Sequence, residues 1–323
     1  MQTEAPPSTT LPSGPATLAK TQPAPLRFRR TTWLLRATRP RQWTKNALVL
    51  AAPTAAGTIV RPDVAVHSAL AVLAFVAASA STYLVNDVVD RSTDLLHPVK
   101  RKRPVAAGQV SVALALASAV TLGVFSLTVA ALDAGAALAG VVSAYMALSV
   151  SYSLALKRVP VIELACVAAG FALRAVAGGA ATHVAISPWF LMVACFGSLF
   201  IVAGKRSVEK SLMGKQGGLH RSTLATYPSA FLRSLRMLAM SVTVTTYCLW
   251  AFERAGGLGP VERADDIVWF ELSIIPFVLA IVLVELAIEQ GRGGEPEELA
   301  LSDRGLQVLG MAWLALLMCG LFA

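Results

Sequence analysis

Charge is scarce in this chain. Only 15% of its 323 residues are Asp, Glu, Lys or Arg, against 55% hydrophobic, and the mean hydropathy is +0.63. So few charges cannot cover a water-soluble surface, which excludes an ordinary soluble domain and indicates an integral membrane protein. Cysteine is nearly absent: Cys166, Cys195, Cys248 and Cys319 all fall inside apolar runs, without Cys-x-x-Cys spacing. That excludes a disulfide framework and a zinc site, and leaves small buried hydrophobes. The four histidines, His67, His97, His183 and His220, form no cluster, and no Ser-His-Asp arrangement can be assembled from them. The amino-terminal "MQTEAPPSTTLPSGPATLAKTQPAP" (1–25) has no apolar core. An ordinary secretory signal is thereby excluded, and a disordered cytoplasmic tail fits.

What the chain does have is long apolar runs. A spanning helix needs about 20 mostly apolar residues, and nine stretches qualify: 44–61, 66–89, 111–132, 134–155, 160–182, 187–204, 229–252, 267–288 and 305–322. Pro53 and Gly57 interrupt the first. With the amino terminus in the cytoplasm, only Arg61, Arg254 and Arg263 of the 28 Lys and Arg fall outside, and only Arg174 lies deep within a span. Such asymmetry sets the orientation of a multi-pass protein of the plasma (inner) membrane, with its chemistry on the cytoplasmic side. Residues 26–43, "LRFRRTTWLLRATRPRQW", are too charged to span and read as an amphipathic helix at the interface. The domain plan is thus a tail over 1–25 and one all-α membrane domain over 26–323. The net charge of +9 suits anionic lipid or anionic substrates equally. Nucleic acid would require a soluble basic face, and none is available.

Acid and base concentrate at one spot. "NDVVDRSTD" (86–94) ends the second apolar run and is followed by "LLHPVKRKRP". On a continuous helix, Asp87, Asp90 and Asp94 fall within about 60° of one another, and Asn86 widens the face to about 100°. Four oxygen donors at a membrane edge are costly and point to function. An oxygen-only set favours a hard cation, and Mg²⁺ (or Mn²⁺) bridges carboxylates to substrate phosphates. Lys100, Arg101, Lys102 and Arg103 serve topology, and the same cluster suits phosphate binding. His97 lies in this loop, where it either touches phosphate or has no role.

These residues carry a resemblance. "NDVVDRSTD" resembles the first aspartate-rich motif of the UbiA-type prenyltransferase superfamily, whose members have nine transmembrane helices and bind Mg²⁺-diphosphate. "RPRQWTKNALVLAAP" (39–53), "YLVNDVVDRSTDLLHPVKRKRPVAAG" (83–108), "YSLALKRVPVIELACVAAGFALRAVAGG" (152–179), "WFLMVACFGSLFIVAGKR" (189–206), "YCLWAFER" (247–254) and "GEPEELALSDRGLQ" (294–307) resemble one branch. That branch is the actinobacterial decaprenyl-phosphate phosphoribosyltransferases, and the resemblance covers nearly everything after residue 30. It implies transfer of 5-phosphoribosyl from phosphoribosyl diphosphate to decaprenyl phosphate, with release of diphosphate, for cell-wall arabinan precursors. Asp87, Asp90, Asp94 and Glu163 would be catalytic, with Asn86 completing the metal set. Lys45, Asn86, Lys100, Arg101, Arg103, Tyr152, Lys157, Arg174, Lys205 and Arg206 would bind substrate. A homo-oligomer is left open.

One departure from the superfamily matters. A second aspartate-rich motif is expected near the fifth span, but "YSLALKRVPVIEL" offers only Glu163 beside Lys157 and Arg158. One carboxylate column with added cations suits a donor bearing a diphosphate and a further phosphate. It argues against the alternative, prenyl transfer from a polyprenyl diphosphate to an aromatic acceptor. A transporter is a third reading, disfavoured because charge collects at one interface and no internal repeat is evident. Arg174, about 16 Å deeper than Glu163 on the same helix face, either pairs within the protein or anchors a phosphate. Lys210 and Lys215 read as a solvated face, and Tyr83 as an interfacial tyrosine or a donor to substrate.

Overall fold

The structure, a computed structural model, describes residues 26–216, 222–256, 268–292, 294 and 296–322, so the expected tail over 1–25 lies outside the described residues. All regular structure described is helical. In chain order it comprises α1 (Leu26–Ala37), a 3-10 run (Pro40–Leu50), α2 (Ala51–Ala55), α3 (Pro62–Val89), α4 (Arg91–Leu96), α5 (Val112–Leu154) and α6 (Ile162–Thr182). Then follow α7 (Pro188–Gln216), α8 (Ser222–Thr226), α9 (Ser229–Arg254), α10 (Val268–Leu272), α11 (Ile274–Glu289), α12 (Pro296–Ser302) and α13 (Arg304–Phe322). Among the described residues, seven helical stretches are long and apolar enough to cross a membrane, α10 and α11 together forming one.

Two of the expected spans meet inside α5. The helix breaks at Ala134 (φ −130°, ψ 21°) and Gly135 (φ 62°, ψ −145°), a conformation open to glycine without steric cost. A Cβ on Gly123 would lie 2.9 Å from Cε of Met146, residues equally distant from the break. The two halves are therefore folded back on each other as a hairpin. α3 lies against both: in the first half Ser126 Oγ donates to the Ala74 carbonyl and Ser81 Oγ to that of Ala119, each at 2.7 Å, and in the second the Tyr145 ring centroid lies 5.2 Å from that of Phe75. Small side chains let the backbones approach this closely, as at other helix contacts in lipid.

The first expected span takes another form. In place of an α-helix over 44–61, an eleven-residue 3-10 run leads into a five-residue α-helix. The reason lies in α6. A Cβ on Gly178 would stand 1.9 Å from the Val49 carbonyl oxygen, while one turn earlier Arg174 Nε donates to Asn46 Oδ1 at 2.9 Å. Three 3-10 residues rise about 6 Å, as do four α-helical residues. The tighter winding therefore keeps 46–49 in step with 174–178 along two parallel segments.

Burial ranks the helices. More than half of the apolar windows of α3 and α6 is buried, against 6% for α13. α3 and α6 form the interior, and the apolar faces of α13 are left for lipid. Gly178→Ala should lower the unfolding temperature of the reconstituted protein by the equivalent of about 1–3 kcal/mol, the usual cost of overpacking. Gly140→Ala, with open space around the added carbon, should match or exceed wild type in the same melt.

Candidate active site

The polar groups of the acidic stretch gather at one end of the bundle. α3 ends at Val89, and Asp90 (φ −88°, ψ 2°) joins it to α4, so the three aspartates do not share one unbroken helix. The hydrogen bonds nevertheless continue through the joint, from Asp90 N to Asn86 O at 2.9 Å and from Asp94 N to Asp90 O at 2.8 Å. The carboxylates therefore remain together. Arg103 proves it: its Nη1 donates to Asp94 Oδ2 at 2.7 Å and to Asp87 Oδ1 at 3.3 Å.

Each carboxylate has a cation. Arg39 also donates to Asp87, and Lys157, arriving from the α5–α6 connection, donates to Asp90. Asp87 and Asp94 are almost fully buried. The amide oxygen of Asn86 accepts from Ser153 Oγ at 3.1 Å. Among the described residues, no three Asp, Glu, His or Cys side chains converge as a metal cage by themselves. The donor set still fits a hard divalent cation: all its ligating atoms are oxygens, and Mg²⁺ typically uses one or two carboxylates with substrate phosphates supplying the rest.

A second group lies on α6 and α7. Glu163, fully buried, accepts both Arg206 Nε (2.9 Å) and Arg206 Nη2 (2.8 Å), and Arg206 Nη1 reaches Glu209 at 2.8 Å. This is a forked guanidinium–carboxylate pair. The sequence reading assigned Glu163 to catalysis and Arg206 to substrate; the structure joins them to each other. Glu163 lies in the first turn of α6, two residues after Val161, whose amide donates to the Tyr227 hydroxyl at 2.7 Å. Lys210, read from sequence as solvated, donates instead to the Tyr227 carbonyl. The Lys215 side chain and His220 lie outside the described residues.

Arg174 sits deeper, on α6. Besides Asn46 it donates to Gly170 O (2.7 Å) and Tyr145 OH (2.9 Å), and its guanidinium lies 4.7 Å from the Tyr145 ring centroid and 5.4 Å from that of Phe171. Among the described residues no carboxylate pairs with it, although it is only 4% exposed. Lys45 Nζ lies 5.8 Å from the centroid of the same Phe171 ring. Two cations thus lie near one aromatic ring, a concentration of positive charge that suits an anionic substrate group.

Other assigned residues are placed less tightly. Lys100, Tyr152 and Lys205 are half-buried at the same end, and Arg101 is exposed. His97 Nδ1 accepts from the amides of Val99 and Lys100 at 3.2 and 3.3 Å, which shapes the basic loop. His67 pairs with Asp133 at 2.7 Å at the opposite end of the bundle. Beside the polar layer, the 3-10 run lines a cavity of about 340 Å³ with α7, α9, α11 and α13, and Tyr247, Trp250, Phe277 and Trp313 face it.

Sequence reasoning missed Arg39, Asn46, Tyr145, Ser153 and Tyr227. Arg39 was counted only toward topology; its signal is the strained backbone at φ 57° directly before Pro40, which a sequence does not display.

Residues 48–289 match the model of the UbiA prenyltransferase family, and the chain belongs to that family. Within it, the chain is 45% identical over 287 residues to a decaprenyl-phosphate phosphoribosyltransferase of Mycobacterium tuberculosis, covering 87% of this chain and 92% of that one. The enzyme of the same name from Corynebacterium glutamicum is 41% identical over 283 residues, covering 87% and 84%. Among solved structures, a UbiA homolog from Archaeoglobus fulgidus bound to GPP and Mg²⁺ superposes with a TM-score of 0.64 at 20% identity, covering 89% of this chain and 98% of that one. Its complex with DMAPP and Mg²⁺ gives 0.66 at 18%, covering 89% and 97%.

Arg174 offers a test within the site. Arg174→Met should cut turnover at least tenfold, and Arg174→Lys, which keeps the charge but loses the fork, should retain more. Equal losses in both variants, tracked by equal falls in melting temperature, would mark Arg174 as a packing hub.

Proposed function

We propose that this protein transfers 5-phosphoribosyl from phosphoribosyl diphosphate to decaprenyl phosphate, releasing diphosphate. The observation that carries the reading is the surplus of cations over carboxylates at one end of a chain 41–45% identical to enzymes of that name. Arg39, Arg103 and Lys157 neutralise the aspartates, while Arg174 has no carboxylate partner among the described residues. Such a field suits a donor with a diphosphate and a further phosphate.

The chemistry asks little of a general base. A phosphate monoester has its second pKa near about 6, so the acceptor is already an anion. Its oxygen forms a bond to the anomeric carbon as the bond from that carbon to diphosphate breaks, with inversion expected. The protein's work is positioning and charge stabilisation. Arg103 and Lys157 can turn from their aspartates to the leaving diphosphate, and Arg174 with Lys45 can hold the remaining phosphates. Asn86, Asp87, Asp90 and Asp94 would hold Mg²⁺, which supplies neutralisation of the departing charge when bound. The aromatic-walled cavity supports an apolar place for part of the prenyl chain.

The architecture we infer has nine crossings of the plasma membrane, with the site on the cytoplasmic face. The α5 hairpin supplies two. The 3-10 run with α2 supplies another, because eleven residues at about 2.0 Å and five at about 1.5 Å give about 30 Å, the thickness of the hydrocarbon core. The positive-inside asymmetry supports the orientation.

Purified protein supplied with phosphoribosyl diphosphate and decaprenyl phosphate should form a new lipid on thin-layer chromatography and release diphosphate. Chelation should abolish the product and Mg²⁺ or Mn²⁺ restore it. Asp87→Ala, Asp90→Ala or Asp94→Ala should each leave less than about 1% of the turnover. Product from a labelled prenyl diphosphate instead, with none from the ribosyl donor, would reverse the reading.

A further inference from the structure

Val161 is the most strained residue beside the site. Its φ of 67° and ψ of −48° belong to a tight three-residue turn, closed by Ile162 N donating to Pro160 O at 2.8 Å. This positive-φ γ-turn is rare and strained in any protein, and a β-branched residue is the worst suited to it. Two residues earlier than Pro160 the 3-10 turn Leu156–Arg158 carries Lys157 to Asp90. Two residues after Val161, Glu163 grips Arg206. The turn therefore sets the spacing between the aspartate group and the Glu163–Arg206 pair.

Something must hold it, since such strain persists only where surroundings over-determine it. The holder is Tyr227. Tyr227, 3% exposed, accepts the Val161 amide at 2.7 Å, stacks on Phe231 with ring centroids 5.7 Å apart, and has its own carbonyl bound by Lys210. Burial pushes the Tyr227 phenol above its usual range, with the Glu163 carboxylate adding to the effect. The hydroxyl thus stays protonated and neutral at physiological pH.

We infer that Tyr227 is a positioning residue for phosphoribosyl transfer: by clamping the strained turn at Val161 it fixes Lys157 and Glu163 relative to each other. The inference rests on the function proposed above and adds a residue that touches no substrate. Without the clamp, Val161 relaxes toward negative φ, and the start of α6 rotates away from the α5–α6 connection.

The test is a rescue. Tyr227→Phe removes one oxygen and keeps the ring stack, so the melting temperature should stay close to wild type. Its kcat/KM for phosphoribosyl diphosphate should fall about tenfold, the equivalent of one hydrogen bond, with the lipid KM unchanged. Val161→Gly, which meets positive φ without a Cβ, should be near wild type alone. Combined with Tyr227→Phe, it should recover most of the lost activity. Hydrogen exchange of the Val161 amide should quicken in Tyr227→Phe, independently of any substrate. Wild-type kinetics in Tyr227→Phe, or a loss that Val161→Gly leaves uncorrected, overturns the clamp while the function stands. A wild-type protein that makes no phosphoribosyl lipid overturns the function, and the inference falls with it.

Discussion

In a bundle this apolar, a charge persists only beside something that neutralises it. Leaving one partner of a buried pair alone costs several kcal/mol, about 3–5 in measured cases. The structure obeys this throughout its polar end. Asp87 meets Arg39 and Arg103, Asp90 meets Lys157, Glu163 meets Arg206, and Arg236 meets Glu285 and Glu289. These pairs tie α3 to the segments before it and after it, α6 to α7, and α9 to α11. The ionic groups that make the site are thus also the links between helices there. Arg174 departs from the pattern, with dipoles and aromatic faces where a carboxylate would be expected. A cation stabilised only that far retains attraction for an anion, which distinguishes it from Arg206.

The backbone devices serve the same end. The 3-10 run matches its rise to α6, so that Asn46 meets Arg174 and Val49 meets Gly178. The same run turns Ala47, Leu48 and Leu50 toward the apolar cavity. One short segment therefore separates a polar layer from an apolar one by a single helical face. A lipid phosphate has that same division, with its charged head joined directly to hydrocarbon. Long 3-10 runs are uncommon and tend to occur where function constrains winding.

Much of this was legible beforehand, for physical reasons. Spans announce themselves through length and hydropathy, so α3, α6, α7, α9, α11 and α13 fall where apolar runs placed them, and the break in α5 lies between two expected spans. The aspartate group was legible because carboxylates at a membrane edge are rare. Pairing was not. Arg39 and Asp87 are 48 residues apart, and Glu163 and Arg206 are 43 apart; nothing local marks either partner as the other's. Winding was not legible either. Residues 40–50 became a 3-10 run because of a glycine far along the chain, a tertiary demand that propensity does not carry. The strain at Val161 is the extreme case, since the sequence there, a valine after a proline, argues against the conformation adopted.

Fold alone leaves the reaction open. The archaeal homologs share the architecture at 18–20% identity, and one fold hosts several chemistries. The choice falls to the site's charge. A second aspartate column would invite more metal and thus a bare diphosphate donor. Here the corresponding position holds a single buried glutamate already satisfied by a forked arginine, so it adds structure where metal binding would need an unpaired carboxylate. Arg174, with no carboxylate partner among the described residues, leaves cationic capacity there, and such capacity suits phosphate groups beyond those a metal neutralises. A phosphorylated sugar donor and a phosphorylated lipid acceptor together bring that excess; a prenyl diphosphate with an uncharged aromatic acceptor does not.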